Sequence, residues 1–208
     1  MTTNHSQDHD RSDLFAGFAS PSAADLSALQ ARLAATAEST GLLDVAYRTV
    51  DTAVGTVLLA ATDAGLVRVA YQREGFDAVL QRLAERVSPR VLEAPRRLDD
   101  TVWQLEEYLA GGRRQFDLPL DLSLSSGFRR AVLSYLQGIG FGHTASYAAV
   151  AAAVHNPKAV RAVGTACATN PLPLVIPCHR VIRSDGHIGA YFGGPEIKRQ
   201  LLRLEAAA

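Results

Sequence analysis

The residues best suited to covalent chemistry stand together at Pro177-Cys178-His179-Arg180. Cysteine attacks as the thiolate, and an ordinary thiol with a pKa of about 8.5 is only a few per cent ionised at neutral pH. A neighbouring imidazole and guanidinium are expected to raise that fraction. The approach is stiffened by Pro171, Pro173 and Pro177, because each ring fixes one backbone dihedral. As a bare dipeptide, Cys178-His179 reads first as a buried structural cysteine, so its context must decide.

Composition narrows that context. The chain has 208 residues, enough for one or two small domains, and only two cysteines, Cys167 and Cys178. That excludes a disulfide scaffold and points to a reducing, cytoplasmic setting. The first half of the chain holds no cysteine, which excludes a cysteine-based zinc site there. Asp44, Asp51 and Asp63 are scattered, and no metal is expected. The apolar run 172–176 is too short to span a bilayer, and the polar, acidic start MTTNHSQDHD does not read as a signal peptide. The net charge of zero hides an asymmetry: from residue 127 onward there are 9 Lys/Arg against 3 Asp/Glu. That half is basic enough to approach phosphates.

The elements that must position the cysteine follow from periodicity. Residues 1–43 form an arm. Its first 20 residues read as disordered, and Ser22 with Asp25 caps a helix to about Glu38. Leu26, Leu29 and Leu33 lie at helical spacing on it, as a packing or tethering face. Residues 44–112 read as a small α+β domain. It has strands at 45–50, 56–61, 66–71 and near 90–93, and helices at about 75–86 and 98–110. Residues 113–125 read as an extended linker, and 126–208 as a mostly helical domain. There, Ser125 or Ser126 caps a helix over 127–137, and Thr144 caps a second over 145–154. Asn156 at N-cap and Pro157 at N1 start a third that runs to Ala168. The last two make a helix-turn-helix candidate. The third helix carries Ala159, Val160, Ala162, Val163, Gly164, Thr165 and Ala166, with Arg161 as its single large charged side chain. Small side chains let a helix sit deep in a narrow space.

In order, GHTASYAAVAAAV, NPKAVRAVG, NPLPLVIPCHRVIRSDG, IGAYFGG and KRQLLRLE closely resemble the O6-alkylguanine-DNA alkyltransferase family. The similarity spans most of the chain and is most specific between Phe128 and Glu205. It implies a small ribonuclease-H-like N-terminal domain followed by a helical domain bearing the helix-turn-helix.

The resemblance also assigns roles. Cys178 becomes the acceptor of an alkyl group displaced from guanine. His179 acts on the thiol through a water, and Glu205 orients and charges that imidazole, in a relay of the kind that activates nucleophiles. Tyr147 faces the purine edge as proton donor, and Asn170 ties the DNA-binding helix to the active-site turn. Val181, Tyr191 and Lys198 surround the base. The third helix enters the minor groove of double-stranded DNA. Arg161 replaces the everted nucleotide there, Ala162 and Gly164 allow close approach, and Asn156 and Ser184 meet phosphates. The thioether product implies one turnover per molecule and no cofactor. The protein is expected to act as a monomer, on O6-alkylguanine and also O4-alkylthymine.

Three positions depart from the family pattern. Phe192 replaces a small residue, so the ring either narrows the pocket or swings out as a lid. Cys167 stands where a bulky apolar side chain is frequent, and Ala168 replaces a frequent basic residue. A cysteine hydrolase would instead need an oxyanion hole, for which the sequence offers no support.

Overall fold

The computed structural model describes residues 22–207, so the reading of 1–20 as disordered lies outside the described residues. Helix α1 (Ala23–Ser39) begins with the capping box foreseen for Ser22 and Asp25. Its buried residues are Ala34 and Ala37, set against Leu43, Ala46 and Ala94. Leu26, Leu29 and Leu33 face solvent, which corrects the expectation that they form the packing face. The small alanines let the helix sit close on the sheet, and the leucines stay exposed beside that contact.

Strands β1 (Val45–Thr52), β2 (Gly55–Thr62) and β3 (Gly65–Tyr71) form an antiparallel meander. The short β4 (Val91–Glu93) joins β1 in parallel, giving the order β3-β2-β1-β4. Helix α2 (Phe76–Arg86) packs Val79 and Leu83 under one face, against Val45, Leu58, Ala60, Val67 and Ala70. The other face turns Val57, Leu59, Val69 and Tyr71 toward α3 (Asp99–Leu109) and the helical half. Burial on both faces explains why β2 and β3 are apolar runs rather than alternating ones. The β2–β3 turn needs glycine at Gly65: its φ is +131°, and a Cβ there would lie 2.2 Å from the Pro119 carbonyl oxygen. That contact exists because residues 119–121 run alongside β3, with Leu66 N–H donating to Pro119 O and Asp121 N–H to Leu66 O.

In the helical half, α4 (Gly127–Leu136) buries Val132, Leu133 and Leu136. Helix α5 (Tyr147–Ala153) starts two residues later than expected: Ser146, not Thr144, caps it, accepting from the Ala149 N–H. Ala145 and Ser146 form β5, paired in parallel with β6 (Val181–Ile182) just beyond the cysteine. Helix α6 (Val160–Ala168) also starts late. Asn156 and Pro157 do not begin it: Asn156 N–H closes α5 on Ala151 O, His155 adopts a φ of +58°, and Asn156 O accepts from Ala159 N–H. This tight turn consumes the capping residues. Helix α7 (Pro195–Ala207) ends the chain's described part.

Candidate active site

The segment from α6 to β6 is organised by one buried side chain. Asn170 Oδ1 accepts from Leu172 N–H at 2.9 Å, and its Nδ2 donates to Ile176 O at 2.9 Å. The same Nδ2 lies 3.2 Å from Cys178 Sγ. One amide therefore closes the proline-rich turn and hydrogen-bonds the sulfur. Within the turn, buried Leu174 is held at a φ of +74°, a conformation that a side chain other than glycine adopts at some cost. Cys178–Arg180 then form a 3-10 turn that runs into β6.

From this turn His179 and Arg180 both reach Glu205 on α7. His179 Nε2 lies 2.8 Å from Glu205 Oε1. Arg180 donates from Nε to Oε2 at 2.9 Å and from a terminal nitrogen to Oε1 at 2.9 Å, and also bonds Ile139 O. Gly142 N–H adds a bond to Oε2 at 3.2 Å, and Tyr108 Oη, from α3, donates to Oε1 at 2.6 Å. All four side chains are buried. Burial works against the charge on Glu205, but the donors on His179, Arg180 and Tyr108 outweigh it and hold the carboxyl far below its ordinary range. An ionised carboxylate only accepts, so the proton in the 2.8 Å contact belongs to His179 Nε2. That leaves Nδ1 as the unprotonated nitrogen of the neutral ring. It is buried and has no hydrogen-bond partner among the described residues. Desolvation pulls the imidazole below its ordinary pKa despite Glu205.

The thiol itself corrects the sequence reading. Cys178 is 2% exposed, and burial pushes it up to about 11, against smaller opposing effects of Asn170 and Lys198. His179 and Arg180 do not lower it, because both point at Glu205. Sγ therefore rests protonated. Cys167, also buried, is pushed up to about 12 by the same desolvation, consistent with a small apolar filler.

Tyr191, Lys198 and Tyr147, three of the expected pocket residues, lie near the sulfur. Tyr191 is buried and shares a 2.8 Å hydrogen bond with Tyr71 of β3. Lys198, buried and pulled down by desolvation, donates to Val181 O at 2.6 Å, which occupies one of that carbonyl's two lone pairs. The Tyr147 hydroxyl, pushed up to about 12 chiefly by burial, is covered by Gly189: a Cβ there would fall 2.3 Å from it. Phe192 is turned outward, 37% exposed, with the Arg68 guanidinium 6.0 Å from its ring centre. It rims a cleft of about 430 Å³ that Arg68, Glu74 and Arg129 also line.

The expected DNA-contacting residues lie apart from this buried cluster. Arg161, Ala162 and Thr165 are exposed along one side of α6, and an added Cβ at Gly164 would meet open space. Val163, Ala166 and Cys167 face inward. Asn156 and Ser184 are exposed in the turns before α6 and after β6. Sequence reasoning missed Tyr108 and Tyr71, and it took Arg180 for a partner of the thiol.

Two short consecutive helices, the second with an exposed face of small residues, share one domain with a buried thiol and an imidazole–carboxylate pair, the parts of a protein that does cysteine chemistry. Comparison with known proteins makes the class specific. Residues 45–122 match the profile of the 6-O-methylguanine DNA methyltransferase ribonuclease-like domain, and residues 127–207 match the DNA-binding domain of the same family. A methylated-DNA–protein-cysteine methyltransferase of Mycolicibacterium paratuberculosis is 38% identical over 161 residues, covering 77% of this chain and 92% of that protein. The constitutive counterpart from Bacillus subtilis is 37% identical over 163 residues, covering 76% and 94%. A crystal structure of Mycobacterium tuberculosis OGT in complex with DNA superposes with a TM-score of 0.68 at 34% identity, covering 78% of this chain and 93% of that one. The chain belongs to the 6-O-methylguanine DNA methyltransferase family.

Proposed function

We propose that the protein repairs O6-alkylguanine in double-stranded DNA by moving the alkyl group irreversibly onto Cys178. The observation that carries this reading is the buried set Asn170–Cys178 and His179–Glu205 in a chain of this family.

Sγ attacks the alkyl carbon, an S–C bond forms and the C–O6 bond breaks. The thiol proton passes through a water to His179 Nδ1, and the departing guanine gains a proton from Tyr147 at N3; the imidazolium then releases its proton to solvent and the Tyr147 phenolate regains one from solvent, so the net transfer is one proton from sulfur to purine. Because the thiol rests protonated, its activation belongs to the reaction step, and a neutral imidazole with a free Nδ1 is the form that can accept the proton. Asn170 holds the sulfur through its Nδ2. The backbone carbonyls of Cys178 and Val181 meet the base's exocyclic amine, and Tyr191 and Lys198 close the pocket. The thioether has no easy hydrolytic exit, so each molecule acts once, and no cofactor is consumed.

A buried sulfur requires an everted base. In this reading α6 lies in the minor groove with Arg161 filling the gap. Ala162 and Gly164 permit close approach, and Asn156 and Ser184 touch phosphates. The purine reaches Sγ when the segment around Gly189 lifts from Tyr147. O4-alkylthymine is a second substrate, and the protein acts as a cytoplasmic monomer.

Intact-mass analysis after incubation with a duplex containing O6-methylguanine tests the reaction. A gain of one methyl group on Cys178, absent in Cys178→Ser, is expected. Methylation elsewhere, or retained in the serine variant, overturns the assignment.

A further inference from the structure

Glu205 Oε1 is crowded. It receives His179 Nε2 at 2.8 Å and two Arg180 nitrogens at 2.9 and 3.1 Å, all from the cysteine-bearing segment. The fourth donor comes from elsewhere: Tyr108, on α3 of the ribonuclease-like half, at 2.6 Å. Tyr108 is fully buried, its hydroxyl lies 3.3 Å from His179 Nε2, and its ring is packed against Phe116 and Phe141. The hydroxyl therefore has a fixed aim. Hydrogen bonds to a carboxylate in a buried site are strong, and each one shares out part of the negative charge.

We propose that Tyr108 is a positioning residue of the alkyl-transfer relay: its hydroxyl fixes Glu205 Oε1 against His179 and draws off part of the carboxylate charge, so that the imidazole stays neutral and Nδ1 stays open to the thiol proton. This rests on the alkyl-transfer reading above and adds to it a role for the N-terminal half. The balance of charges supports it. Glu205 favours the imidazolium, while Arg180, Lys198 and burial oppose it. A carboxylate bonded to His179 alone would tilt that balance toward the protonated ring, which cannot act as a base. The Tyr108 hydroxyl is itself raised above the ordinary phenol range, first by burial and then by Glu205, so it remains a donor throughout the working pH range.

The test is Tyr108→Phe in the full chain, which keeps the ring and removes one oxygen. Two readouts are followed: the single-turnover transfer rate against pH with O6-methylguanine duplex, and the His179 ring pKa by nitrogen NMR without DNA. The acid limb of the rate profile is expected to move up by about one pH unit, a tenfold slowing at a given pH below it, with the plateau little changed. The ring pKa should rise in step. Equal slowing at every pH with an unmoved ring pKa would reduce Tyr108 to a packing residue and overturn the proposal. The NMR readout does not depend on transfer, so an unmoved ring pKa refutes this role even if the repair reading itself fails, and absence of methylation in the parent protein refutes only that reading.

Discussion

Replacing Glu205 by glutamine changes one oxygen for an amide nitrogen and leaves the volume unaltered. In the parent protein the carboxylate is the sole acid bonded to buried Arg180 among the described residues, and it also receives His179, Tyr108 and the Gly142 N–H. A neutral amide leaves the guanidinium without a counter-charge. Its NH2 group also faces donors on at least one side. Breaking one partner of a buried ion pair costs about 3–5 kcal/mol, which for a chain of this size lowers the melting temperature by roughly 6–20 °C. The sign with pH follows from the depressed carboxyl of Glu205. Its contribution is fully present above the ordinary carboxylate value of 4.5 and is lost as pH falls through the lower folded value. Parent and variant should therefore converge in melting temperature under strongly acidic conditions. Calorimetry from neutral to acidic pH, paired with single-turnover transfer, reads both consequences. A variant that melts within about 2 °C of the parent at neutral pH would show that the network carries little stability, and Glu205 would then matter to transfer alone.

Three further outcomes follow from the geometry. Iodoacetamide should alkylate Cys178 slowly at neutral pH and faster as pH rises toward about 11; reaction at pH 7 as fast as free cysteine would contradict a buried, protonated thiol. Arg161→Ala should slow repair of duplex DNA more than reaction with free O6-benzylguanine, because only the duplex requires base eversion; equal slowing would remove that role. Gly65→Ala should destabilise the fold by roughly 2–4 kcal/mol, read as a lowered melting temperature, because the new Cβ meets the Pro119 carbonyl at a φ that favours glycine; an unchanged melting temperature would mean that the β3–linker contact yields freely.

The nucleophile was legible because its signal is local: Cys178, His179 and the prolines adjoin in sequence. Glu205 and Asn170 were reached only through family resemblance, since nothing near them in the chain announces a partner. Tyr108 was not reached at all. It stands in an amphipathic helix where a tyrosine reads as core, and its partner lies 97 residues away. Arg180 was misread because adjacency suggested the thiol, whereas the 3-10 turn aims it at Glu205. The strands and α1 were placed well by turn residues and the Ser22 capping box. The starts of α5 and α6 were not, because tertiary pairing decided them. Ala145 and Ser146 pair with Val181 and Ile182, and Asn156 is spent on closing α5. Local capping preference gives only a set of candidate starts, and the pairing around the cysteine chose among them.

The outer flank of β3 has one more consequence. Its backbone groups are engaged by Pro119, Asp121 and Pro171, the last through Val69 N–H at 2.9 Å, while at the opposite margin of the sheet β4 is only three residues long. Unpaired strand margins invite other chains to add on and start aggregates. The proline-bearing turn that leads to the reactive sulfur thus also acts as a guard rail, keeping an apolar sheet from growing by recruiting a neighbour.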